Sequence, residues 1–180
     1  MSANEIREIN ASTEEFMRQE GVKRLLSIAK HFAKDKKARA WVFLPDSNET
    51  VLMPYATWGT QEDDKADLGF NTRQGLVGRV FWNLGHDPES PSLEVNLENI
   101  TPLELQTAFG LSPAQIKRTQ EVKSILATRI TYNNRVLGVL SVDSDMPPLS
   151  SGLLISAMGN DIMQIADQIG IMLCAKPKSQ

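Results

Sequence analysis

Two β-type runs joined by a pair of asparagines constrain this chain more than any other feature. Residues 123–132 (KSILATRITY) and 135–143 (RVLGVLSVD) are rich in β-branched and aliphatic side chains, with Asn133-Asn134 between them. A two-residue hairpin turn needs positive φ at its central positions, and asparagine tolerates it. The runs therefore predict an antiparallel hairpin, and any fold of this chain has to contain it.

A second hairpin is predicted upstream. Residues 40–44 (AWVFL) end at Pro45, residues 46–49 (DSNE) carry turn chemistry, and residues 50–58 (TVLMPYATW) supply the partner. Pro54 cannot donate to a ladder, which places its strand at a sheet edge. Helices frame both hairpins. Ser12-Thr13-Glu14-Glu15 has the form of a capping box, followed by Phe16, Val22, Leu25, Leu26, Ala29, Phe32 and Ala33 at helical spacing. Ile6 and Ile9 extend this helix backwards across a break. At the other end, residues 151–175 carry Leu154, Met158, Ile162, Ile165, Ile169 and Met172 in one stripe, widened by Leu153, Ala157, Ala166 and Leu173. An apolar face so broad implies burial on two sides or a partner helix.

Between the hairpins, residues 61–67 (QEDDKAD) read as an acidic loop and residues 75–82 (GLVGRVFW) as a short apolar helix. Residues 84–120 are polar and weakly periodic, with Ser112-Pro113 as a helix start. A connection of that length predicts a disordered segment or a binding lid.

The totals exclude several classes. The net charge of −3 and pI near 5.5 lack the basic footprint of a nucleic-acid binder. No apolar run reaches the roughly 18 residues a membrane span needs. The N-terminus shows no secretory pattern, and the single cysteine, Cys174, cannot form an internal disulfide. A cytoplasmic setting is expected. The 180 residues are read as one domain: a helical region at 1–37, sheet and pocket loops at 38–148, a final helix at 149–175 and a tail at 176–180.

The order helix, hairpin, short helix, long connection, hairpin, helix resembles the GAF family. Residues 75–80 (GLVGRV) resemble that family's small helix across the sheet, and residues 124–143 resemble its last hairpin, with Gly138 between apolar neighbours. The resemblance implies an α/β (α+β) fold with a central antiparallel sheet of five to six strands. The terminal helices would lie on one face, with loops and short helices over a ligand pocket on the other. It also implies a small-molecule sensor or a ligand-free dimerising spacer, and a homodimer through the N- and C-terminal helices. A PAS-like or profilin-like sandwich is the rival fold.

The residues speak against several specific chemistries. Free-methionine-sulfoxide reductases of the family need several cysteines, and Cys174 has no resolving partner, so no enzyme is expected. Covalent bilin attachment needs a cysteine in the middle loop, which has none. Haem would need an axial histidine; His31 is expected at the surface and His86 in a solvated loop. The phosphodiesterase-type cyclic-nucleotide signature has no convincing counterpart, because Asn133-Asn134-Arg135 sits at a turn. The Gly75-Leu76-Val77-Gly78 run is read as close packing, not as an RNA clamp. Glu62, Asp63, Asp64 and Asp67 lack the calcium-loop order of ligands.

Strand alternation puts Ser124 and Thr128 in one set on the first strand of the late hairpin, and Ser141 and Asp143 in one set on the second. These sets mix hydroxyls and a carboxylate with apolar neighbours, as a ligand wall requires. Ser124, Thr128, Ser141 and Asp143 are therefore predicted to face the ligand, with Trp58 and Trp82 as apolar walls. The alternative, hydroxyls bonded to backbone and Asp143 as a strand-end cap, stays open.

Overall fold

A computed structural model describes residues 2–32, 37–60, 68–82, 92–147 and 156–175. The elements in order are α1 (Ala3–Phe32), β1 (Arg39–Pro45), β2 (Val51–Trp58), β3 (Phe70–Asn71), α2 (Gly75–Trp82), β4 (Ser92–Asn96), α3 (Pro102–Thr107), α4 (Pro113–Thr119), β5 (Ser124–Tyr132), β6 (Arg135–Ser144) and α5 (Ser156–Cys174). The strands form one six-stranded antiparallel sheet in the order β3-β2-β1-β6-β5-β4. The expected sheet is present, with β5 and β6 inside it.

Alternation along β1 separates the two faces. Ala40 and Val42 join Val22, Leu26 and Ala29 of α1 and Ile162, Ile165, Ala166 and Ile169 of α5 in one buried cluster. Trp41 and Phe43 point the other way, into a second cluster with Phe70, Leu76, Val77, Val80, Leu105, Leu111 and Ile116. Small residues toward the helices let α1 and α5 pack close, and large ones toward the roof fill its wider gap. Each fully buried aliphatic side chain contributes about 1.5–3 kcal/mol.

Several expectations need correction. The first helix runs unbroken from Ala3, so Ser12 is interior to it, and Thr13 Oγ1 donates to Ile9 O instead of capping. The reciprocal capping pair sits at Ser2 and Glu5. The strand bearing Pro54 is not the outermost, because β3 covers it. That pairing involves only Val51 and Leu52, so Pro54 needs no outer partner. The middle connection contains β4, α3 and α4. Thr101 and Ser112 cap the two helices in full capping boxes with Glu104 and Gln115. The acidic loop expected at residues 61–67, the loop position expected for His86 and the expected start of the last helix lie outside the described residues.

The late hairpin departs from regularity in one place, with large effect. Asn133 (φ 48°) and Asn134 (φ 61°) make the expected turn, and Tyr132 pairs with Arg135 and Thr131 with Val136. Ile130 then pairs with Gly138, so Leu137 is an extra residue on β6. From there on, Thr128 faces Leu140, Ala127 faces Ser141 and Ile125 faces Asp143. Uninterrupted pairing would have set Ser124 opposite Asp143. A slip of one residue turns every later side chain to the other face. Gly138 fits the bulge because a Cβ there would stand 2.2 Å from Phe43 O.

Candidate ligand cavity

On the sheet face opposite α1 and α5 lies a cavity of about 400 Å³. Its floor is β1 and β6, contributing Arg39, Trp41, Phe43, Ser141 and Asp143. Leu68, Phe70 and Val77 form one side, and the end of α4 with residues 117–122 forms the other. The aromatic floor is ordered: Trp41 and Phe43 rings stack at 6.0 Å, and Phe70 meets Phe43 edge-on at 5.6 Å.

The polar groups are fixed by the same strands. Arg39 and Asp143 are cross-strand partners, and Arg39 Nε donates to Asp143 Oδ1 at 2.7 Å. Trp41 Nε1 donates to Asp143 Oδ2 at 3.0 Å. Asp143 is thus a held carboxylate on the cavity floor, next to the buried Ser141 hydroxyl. Lys117 and Arg118 stand exposed at the rim. Apolar walls with a few oriented polar groups are what a small-molecule site needs.

Of the residues predicted from sequence, Ser141 and Asp143 line this cavity. Ser124 and Thr128 do not. They are fully buried on the side of Leu126 and Ile130, under the terminal helices, and Ser124 Oγ donates to Met146 O. The Leu137 bulge is the reason. Trp58 is also displaced: it pairs with Ala40, so it leaves the sheet on the helix side, 43% exposed. Trp82, also 43% exposed, carries Arg73 over its ring at the end of α2 and does not line the cavity. The aromatic wall comes instead from Trp41, Phe43 and Phe70. The Ala-Trp-Val-Phe alternation in β1 was the available signal for the first two.

Other candidates fall elsewhere. Cys174 lies across the sheet, beside Leu44, Tyr55 and Leu137. His31 is exposed near the end of α1. The α2 glycines serve packing: Gly75 has φ +63° and donates to Phe109 O, and a Cβ on Gly78 would meet Asn71 O at 2.7 Å. Among the described residues, no three His, Cys, Asp or Glu side chains gather as metal ligands, and no helix is long and apolar enough to cross a membrane.

Solved structures share this architecture. A GAF domain/HD domain protein from Geobacter sulfurreducens matches with a TM-score of 0.62 at 15% identity, over 87% of this chain and 91% of that one. The GAF domain of an Acinetobacter phosphoenolpyruvate-protein phosphotransferase matches with a TM-score of 0.59 at 17% identity, over 96% and 94%. The chain has a GAF-like fold. A type II free methionine-R-sulfoxide reductase from Thermoplasma acidophilum shares it too, with a TM-score of 0.63 at 14% identity over 89% and 94%. No protein-family model and no curated protein matches the sequence. Likeness at such identities carries the GAF-like fold, and the chemistry has to come from the residues.

Proposed function

We propose that this chain is a regulatory GAF-like domain that binds a small molecule and relays its binding through α1 and α5. The observation carrying this reading is the cavity of about 400 Å³, with its aromatic floor and its held carboxylate. A ligand there would touch β1 and β6, whose opposite faces carry Ala40, Val42, Leu140 and Val142 against the terminal helices. Differential affinity for two helix arrangements would then couple occupancy to output. The reading is non-enzymatic. It is supported by a cavity lining that, among the described residues, holds no cysteine or histidine, and by the placement of Cys174 on the far side of the sheet.

The output side is a homodimer. Ile9, Phe16 and Met17 are 53%, 60% and 64% exposed on α1. Ile9 and Phe16, seven residues apart, share a stripe on the helix face turned away from Val22, Leu26 and Ala29. A second reading, a dimerising spacer whose cavity stays empty, draws on this same stripe. Native mass spectrometry of freshly purified protein separates the two. Extra mass that is lost on denaturation supports sensing, and a bare dimer supports the spacer. A metabolite library screened by thermal shift follows; a ligand at a hundredfold its dissociation constant stabilises by about 2.7 kcal/mol. A library without a single shift, with bare protein in the spectrometer, overturns sensing.

A further inference from the structure

The cavity has a neighbour. An open groove of about 550 Å³ lies outside it, lined by Val51, Met53, Gly69, Asn71, Gln74 and Gln115, among others. Arg118 borders both hollows. Two glutamine amides, Gln74 and Gln115, line the groove and not the cavity.

Gln115, only 8% exposed, joins three segments. Its Nε2 donates to Gly69 O at 2.9 Å, and its Oε1 accepts from Ser112 N and from Gln74 Nε2, both at 2.8 Å. Gln74 Nε2 also donates to Gly110 O at 2.6 Å, and its Oε1 accepts from Asn71 N at 3.0 Å. Gly69 sits between Leu68 and Phe70, which form one side of the cavity, and Gln115 precedes residues 117–122, which form the other.

We infer that the Gln74–Gln115 pair is a latch on a side entrance, holding α4 against the segment around Gly69 and separating the inner cavity from the outer groove. Parting the amides would join the two hollows and open a route to Trp41 on the floor. The inference builds on the cavity reading of the proposed function, but its test needs no ligand, so the two can fail separately. Burying amides in a mutual network suits a latch, because each exposed partner regains water when the network opens and little net free energy separates the two states.

The test uses Trp41 as reporter. Trp58→Phe and Trp82→Phe remove the two exposed indoles and leave Trp41, 4% exposed, as the only tryptophan. Acrylamide is the probe. In this background Gln115→Met keeps the side-chain volume and Gln74→Ala removes the second amide. Each is expected to raise the Trp41 quenching constant about threefold or more while a cooperative melt is retained, and the double variant should rise no further than the larger single. A purely structural role would lower the melting temperature and leave native-state quenching alone. Quenching in folded Gln74→Ala within about 1.5-fold of its parent overturns the latch. On the unsubstituted protein, hydrogen exchange gives an independent reading: the Ser112 and Asn71 amides, which donate to Gln115 Oε1 and Gln74 Oε1, should exchange together, ahead of the β5–β6 amides. Exchange of both only at the rate of global unfolding overturns it equally.

Discussion

Arg39 and Asp143 face each other across β1 and β6, with Nε 2.7 Å from Oδ1, at the floor of the cavity. Trp41 secures the other carboxylate oxygen from the same strand as Arg39. One carboxylate therefore ties two strands together and shows a fixed polar group to the cavity. Asp143→Ala should lower unfolding free energy by about 2–3 kcal/mol in denaturant melts, since it removes the carboxylate that accepts from a guanidinium and a buried indole. Trp41→Phe, which keeps a ring on the floor, should cost about 1 kcal/mol. Equal costs for the two variants would contradict this division of roles.

Gly138 tests the bulge. Its missing side chain leaves room for Phe43 O at 2.2 Å and Leu44 Cδ2 at 2.7 Å. Gly138→Ala has backbone on one side and cannot be relieved by a rotamer change, so a loss of about 3 kcal/mol or more is expected. Gly110→Ala is the contrast: its φ of +67° strains the backbone, but its nearest neighbour would be 3.9 Å away, so a loss of about 1 kcal/mol is expected. Thermal melts of the pair should separate clearly.

Tyr55 contributes to the loss of stability at alkaline pH. Its hydroxyl donates to Glu15 Oε1 at 2.8 Å, and burial followed by the adjacent carboxylate pushes the phenol pKa up. Below a pH of about 10 the phenol is protonated in both folded and unfolded chains. Above it the unfolded chain loses the proton first, so stability falls as pH rises. Melting temperature followed across that range should drop less steeply for Tyr55→Phe. An identical slope would remove Tyr55 from the account.

The exposed stripe on α1 predicts assembly. Phe16→Glu should yield monomers by light scattering at concentrations where the parent is dimeric. Phe16 is 60% exposed in the single chain, so the monomer's own melt should shift by no more than about 0.5 kcal/mol. Unchanged dimers would move the interface elsewhere.

Local chemistry made much of this fold readable. Asn133-Asn134 announced the turn, Ser112-Pro113 the start of α4, and the DSNE segment the first hairpin, where the Asp46 carboxylate accepts from the Thr50 and Val51 amides. The Thr101-Pro102 start of α3 carries the same signal as Ser112-Pro113, but no periodic apolar run follows it to mark it out from its polar surroundings. Face assignments were harder. Trp41 was visible as a large residue between small ones, but nothing local distinguishes its face from that of Trp58 at the far end of the neighbouring strand. The register of β5 on β6 was beyond local reading, because Leu137 looks like any other strand residue. What makes it a bulge is the approach of Gly138 to Phe43 on a third strand.

That extra residue makes hairpin length a determinant, in its own right, of which side chains reach the cavity. With Leu137 in place, the sheet shows a carboxylate and a serine to the cavity and hides two hydroxyls in the core. A hairpin one residue shorter, with every other side chain unchanged, would set Ser124 opposite Asp143 and gather all four polar side chains on one face, so that the hydroxyls join the acid in the cavity or the acid joins them in the greasy interior. Two proteins of this architecture with the same strand residues could thus recognise unlike molecules through a single insertion at the tip. When sequences of this kind are compared, the spacing between the turn and the acidic strand end deserves the weight usually given to the acid itself.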